Sequence, residues 1–98
     1  MNEKIRKLSN GETIVSREPG NSMAPLIKHR QPVRLAPAKW QDVEPGDIVY
    51  CKVRGMVCTH LVKAKDEKRG VLISNNRGHE NGWTKSVFGK VVEVLKEV

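Results

Sequence analysis

The chain has few aromatic residues and no long apolar run, and each shortage argues against a class of protein. Two Trp, one Tyr and one Phe stand among 98 residues, fewer than stacking-based binders of single-stranded nucleic acid usually carry. No apolar stretch approaches the roughly 18 residues of a membrane span. The charged N-terminus lacks the apolar run of a signal peptide. We therefore expect a cytoplasmic protein without a membrane anchor.

Cysteine is also scarce. Cys51 and Cys58 lack the second pair that a zinc site of the Cys-x-x-Cys type needs. We therefore expect no metal and no other cofactor. In a cytoplasmic chain two such residues are most often buried small hydrophobes.

Charge and length describe a small basic domain. The 18 Lys and Arg against 11 Asp and Glu give a net charge of +7, enough to favour polyanions non-specifically. The basic residues are spread along the chain, however, which favours a solvated surface over a nucleic-acid site. We expect one domain over residues 1–98, with residues 1–12 as a flexible or peripheral segment.

Short β-rich segments separated by turn signals predict an all-β fold. A single helical turn is predicted within residues 40–43, and residues 75–82 are predicted to form a loop. The pattern indicates a small folded sheet or a partly open barrel. The predicted strands lie at 13–17, 32–36, 47–53, 56–63, 71–74 and 86–95.

The dipeptide Arg54-Gly55 separates the two strongest strands and predicts a β-hairpin. A two-residue loop would pair Cys51 with Cys58, whereas a three-residue loop with a bulge at Gly55 would shift the pairing by one residue. We favour the bulged loop, because Arg is a poor first residue in a turn that requires φ > 0. A disulfide between the cysteines is then not expected. In both registers His60 shares an apolar face with Cys58.

The hexapeptide at residues 20–25, Gly-Asn-Ser-Met-Ala-Pro, predicts a tight turn that presents one hydroxyl. Gly20 permits backbone angles closed to other residues, and Pro25 fixes its own φ and keeps Ala24 extended. Such a turn would show Ser22 on one side and anchor Met23 on the other. An ordinary surface turn is the alternative, since these are common turn residues.

A serine hydroxyl needs a neighbouring base to become a nucleophile, and histidine suits that role near neutral pH. His29 and His79 lie in polar segments, whereas His60 lies in the middle of a strand. Two interpretations of His60 stay open. It is either the base for Ser22 or a core histidine that is bonded to a backbone carbonyl.

The order of these segments resembles the superfamily of LexA/UmuD-type self-cleaving proteins and type I signal peptidases. Its nucleophile motif, Gly-x-Ser-Met-x-Pro, stands at residues 20–25, and its strand opening, Gly-Asp-Ile-Val, stands at residues 46–49. His60 takes the position of the Lys that most bacterial members use, as in archaeal and endoplasmic-reticulum signal peptidases. The last family block is matched loosely, by residues 74–76 and 88–91.

This resemblance implies a LexA/signal-peptidase-like fold and a serine endopeptidase with a Ser22–His60 dyad. Its substrate would be a protein or peptide, or the chain itself. The backbone N–H of Ser22 would hold the oxyanion, with a second donor from Gly20 or Asn21. Met23 would support the loop from below.

The family's loop acid has no match here, because Asn75 stands where the family has Asp. Glu80 and Asn81 are the candidates for a residue that orients His60. A second reading follows from this gap: a catalytically inactive peptidase-like module that binds an extended peptide as an added strand. A third is a small basic β-barrel whose affinity for nucleic acid falls steeply with salt.

Overall fold

A computed structural model describes residues 2–20 and 22–96, which form a short helix and one antiparallel sheet. The elements are α1 (Glu3–Ser9), β1 (Ile14–Arg17), β2 (Pro32–Pro37), β3 (Ile48–Val53), β4 (Met56–Asp66), β5 (Gly70–Ser74), β6 (Glu80–Thr84) and β7 (Val87–Val94). The strands follow one another in space in the order β1-β2-β7-β3-β4-β5-β6, and the sheet is not closed. This confirms the mainly β prediction. A 3₁₀ turn at Trp40–Asp42 matches the predicted helical turn.

Helix α1 lies within residues 1–12, the segment that we expected to be flexible or peripheral. The Asn2 side chain caps the helix by accepting the backbone N–H of Lys4 at 2.7 Å and that of Ile5 at 3.3 Å. Ile5 and Leu8 lie three residues apart on one helix face, and both are buried. Two apolar residues among charged ones gave only a weak periodic signal. Within the described residues, no helix is long and apolar enough to cross a bilayer.

Two apolar clusters form the core. One lies mainly among β3, β4 and β5, and the other lies beneath β1 and β2, where α1 covers it. The second cluster also includes the buried side chains of Met23 and Ile27, so it supports the turn that carries Ser22. The buried residues of this second cluster are Ile5, Leu8, Met23, Ile27, Val33, Leu35 and Tyr50.

The β3–β4 hairpin has the two-residue loop, so the bulged register that we favoured is wrong. Arg54 and Gly55 have φ values of 50° and 78°, the positive angles that a type I′ turn requires. A primed turn matches the twist of the two strands. That match outweighs the roughly 1–2 kcal/mol for one non-glycine residue in the left-handed region. Cys51 therefore lies directly opposite Cys58, and both cysteines are free.

Strand β6 was predicted as part of a loop. Its Asn81-Gly82 pair has low β propensity, which explains why no strand was predicted there. The strand is also irregular, since Ile73 pairs with Gly82 but Ser74 pairs with Glu80. Asn81 is thus the extra residue of a β-bulge, a feature that re-aims a side chain.

Candidate active site

The turn that carries Ser22 is closed at its base. The backbone N–H of Arg30 donates to the carbonyl of Glu18 at 2.9 Å. The N–H of Gly20 donates to Nδ1 of His29 at 2.7 Å. Gly20 has a φ of 95°, a conformation that glycine adopts without a steric penalty. The chain therefore leaves β1, forms a loop that these two hydrogen bonds hold closed, and returns toward β2.

A second set of contacts holds the turn from the β5–β6 loop. The backbone N–H of Asn76 donates to the carbonyl of Ser22 at 3.0 Å, and its side-chain amide donates to the carbonyl of Ala24 at 3.0 Å. The neighbouring Asn75 closes its own loop by accepting two backbone N–H groups. The sequence analysis placed Asn76 in a loop of turn formers and in the loose match to the last family block, without a contact to the Ser22 turn. Its partners lie more than 50 residues away along the chain, so no local signal marks it.

Met23 anchors the turn from below. Its side chain is only 4% exposed, and it packs in the second core cluster beside Ile27. The carbonyl of Met23 also accepts the N–H of Ile27 at 3.1 Å. Met23 is thus buried in the core, while the preceding residue, Ser22, stays partly exposed.

The structure brings Ser22 and His60 together. His60 lies on β4 opposite Val49 of β3, and its Nε2 is 3.0 Å from Oγ of Ser22. Its other ring nitrogen, Nδ1, is 2.9 Å from Oδ1 of Asn81. Because an amide oxygen only accepts, Nδ1 carries the proton and donates to Asn81. Nε2 of the neutral ring is then the acceptor for the Ser22 hydroxyl, which is the arrangement that a general base requires.

Of the two candidate orienters, Asn81 contacts His60 and Glu80 does not. The carboxylate of Glu80 instead forms an ion pair with Lys63 at 2.7 Å. The bulge in β6 explains the difference, because the extra residue changes the direction of its side chain relative to its neighbour. The side chain that orients His60 is therefore the neutral amide of Asn81.

Cys58 influences the titration of His60. It lies two residues before His60, on the same face of β4. Contact with the Cys58 sulfur raises the pKa of His60 and the hydrogen bond to Asn81 adds to this, while burial acts in the opposite direction. The pKa of His60 is therefore higher than its ordinary value, and the neutral, proton-accepting ring predominates only at a pH above that raised pKa. Sequence reasoning took Cys58 for a buried hydrophobe.

A cleft with a volume of about 150 Å³ opens beside Ser22 and His60. Strand β5 pairs with β4 only from Leu61 onward. Before Leu61, that edge of β4 carries no other strand in the described part of the chain. A backbone edge therefore faces the cleft next to the serine. Its walls include Glu18, Ser22, Met23, Cys58, Thr59 and His60.

Among the residues that the structure describes, Glu18 is the one acidic residue that lines this cleft. Oε1 of Glu18 lies 3.3 Å from the hydroxyls of both Ser16 and Thr59, and 3.6 Å from Nζ of Lys4. These contacts join the end of β1 to the middle of β4. Glu18 thus fixes the spacing between the strand that leads into the Ser22 turn and the strand that carries His60.

The two predicted partners for an oxyanion hole have different outcomes. The N–H of Gly20 already donates to His29, so it is not free to serve as a donor in this arrangement. Asn21 lies outside the described residues. Among the residues described, no group of three His, Cys, Asp or Glu side chains is placed to hold a metal ion.

The sequence was compared with models of protein families and with curated proteins. The sequence model of the Peptidase S24-like family matches residues 3–92. A search of curated proteins found no significant match. The matched region spans α1, the Ser22 turn, His60 and most of β7. The chain therefore belongs to the Peptidase S24-like family.

Proposed function

We propose that the chain is a serine endopeptidase in which Ser22 is the nucleophile and His60 the general base. The observation that carries this proposal is the 3.0 Å separation between Ser22 Oγ and His60 Nε2. An ordinary surface turn would not place its serine hydroxyl within hydrogen-bond distance of a buried imidazole. Three further features support the proposal: the hydrogen bonds that close the Ser22 loop, the burial of Met23, and the cleft beside Ser22 and His60.

In the first step Ser22 Oγ attacks the carbonyl carbon of a peptide bond, and its proton passes to Nε2 of His60. The imidazolium keeps its Nδ1–H bonded to Asn81, which holds the ring in place during the transfer. The backbone N–H of Ser22 is the proposed donor to the oxyanion. His60 then returns the proton to the departing amine, and an acyl group remains on Ser22.

In the second step water attacks the acyl carbonyl while Nε2 of His60 takes a proton from it. The bond between the acyl carbon and Oγ of Ser22 breaks, His60 returns its proton to that Oγ, and the carboxylic acid product leaves. The substrate is proposed to be a protein or peptide, or the chain itself. It would lie extended along the open edge of β4, where backbone hydrogen bonds can add it as a further strand.

One observation favours a second candidate, an inactive module that binds peptides by the same edge. Asn81 is neutral, so it orients His60 but supplies no negative charge to stabilise the imidazolium. A module that has lost catalysis would retain the cleft and the open strand edge. The two candidates differ in whether Ser22 is activated.

A fluorophosphonate probe separates the two candidates. We expect the folded wild-type protein to gain one adduct per chain, mapped by mass spectrometry to Ser22, because His60 activates that hydroxyl. Ser86→Ala is the matched control, since Ser86 is exposed and makes no contact with His60. It should label like wild type, whereas Ser22→Ala should not label. Absence of an adduct on folded wild type would favour the binding module.

A further inference from the structure

Cys51 and Cys58 form a dithiol beside the cleft, and Cys58 is the member that lines it. Their sulfur atoms are 3.9 Å apart, and both cysteines are free. The two residues lie directly opposite each other on β3 and β4. Directly opposite Cα atoms in antiparallel strands are about 4.5–5.5 Å apart, within the roughly 4.4–6.8 Å that a disulfide spans. A bond between them therefore needs side-chain movement and no shift of strand register.

The two thiols differ in access and in acidity. Cys58 lines the cleft, whereas Cys51 is 0% exposed. The hydrogen bond between the two sulfur atoms lowers the pKa of Cys58 and raises that of Cys51. The neighbouring His60 lowers the pKa of Cys58 further. An accessible sulfur with thiolate character is the one that attacks, and a buried thiol within 4 Å is placed to resolve the product.

We propose that this pair is a redox-active site at which Cys58 attacks a small-molecule disulfide and Cys51 completes the exchange. The thiolate of Cys58 attacks one sulfur of the reagent, forms a mixed disulfide and releases the other half as a thiolate. The Cys51 sulfur then attacks the Cys58 sulfur, and its proton goes to the second departing thiolate. Two protein thiols are oxidised to one disulfide, while the reagent is reduced to two thiols.

The site lies beside the proposed catalytic pair, but its chemistry does not depend on peptidase activity. No bond to Ser22 or His60 forms or breaks in the exchange, and His60 acts only by lowering the pKa of Cys58. Failure of the fluorophosphonate test would therefore leave the thiol result unchanged, and the reverse also holds. The two cysteines are the only ones in the chain, so thiol counts are unambiguous.

The test uses 5,5′-dithiobis(2-nitrobenzoate) on the folded protein, with intact mass and released coloured thiolate as readouts. Wild type should release two coloured thiolates per chain, carry no lasting adduct and lose the mass of two hydrogens. Cys51→Ser should release one thiolate and keep the adduct on Cys58. Cys58→Ser should release none while it stays folded, because Cys51 is buried.

Circular dichroism shows whether each variant is folded. Because Cys51→Ser alters a fully buried position, acid-quenched wild-type samples give an independent readout: a transient adduct on Cys58 should precede the internal disulfide. The proposal is overturned if wild type keeps a lasting adduct with no disulfide, if the first adduct lies on Cys51, or if no thiol reacts until the protein is denatured.

Discussion

Replacement of Ser22 by Ala, of His60 by Ala, or of both together is expected to lower peptide hydrolysis by the same large factor, at least about 10³-fold. In the proposed mechanism the two side chains act as one unit, because the hydroxyl is a weak nucleophile without the imidazole and the imidazole has nothing to activate without the hydroxyl. The measurement is kcat/KM on a fluorogenic peptide library for wild type, both single variants and the double variant.

His79→Ala is the matched control for the histidine change. His79 is exposed in the β5–β6 loop, and its ring contacts neither Ser22 nor His60. Its activity should stay near that of wild type. Two results would contradict the paired roles: a His60→Ala variant with near wild-type activity, or a double variant whose loss is the product of the two single losses.

Met23→Ala is expected to lower the free energy of unfolding by about 2–5 kcal/mol, the usual range for a buried Met or Leu that is cut back to Ala. The Met23 side chain fills space in the second core cluster, next to the turn that carries Ser22. The loss combines reduced apolar burial with a cavity that the surrounding side chains only partly fill. Urea unfolding followed by circular dichroism measures it.

The same turn offers its own control. Leu26 lies three residues after Met23 and is 50% exposed, so Leu26→Ala should change stability by no more than about 0.5 kcal/mol. Ser22→Ala should cost about 1 kcal/mol, the net contribution of one hydrogen bond. If Met23→Ala and Leu26→Ala destabilise equally, Met23 does not anchor the turn.

The regular strands could be predicted from sequence because their signals are local. Runs of β-branched residues between Gly, Pro and Asn marked six of the strands, within a few residues of their ends. The prediction of the hairpin loop was wrong because the decisive factor is not local. The preference of Arg54 against a positive φ is local, whereas the strand twist that overrides it belongs to the pair of strands.

The site was predictable only in part. Ser22 and His60 carried chemical signals in a specific motif and at a mid-strand position. The choice between Glu80 and Asn81 depended on a bulge that no local pattern marks. Asn76 and Glu18 act through contacts with distant segments, which a single sequence does not show. Cys58 looked like a core residue until the hairpin register placed it opposite Cys51 and beside the cleft.

The central claim is that His60 activates Ser22, and the rate of Ser22 phosphonylation as a function of pH tests it most directly. Only neutral His60 accepts the proton, so the wild-type rate should be low in acid and rise with pH. Contact with Cys58 raises the pKa of His60, so the rise should be centred above the ordinary value of about 6.5. His60→Gln should lower the rate by at least about 100-fold and remove this rise. A His60→Gln variant that labels at the wild-type rate with the same pH dependence would contradict the account.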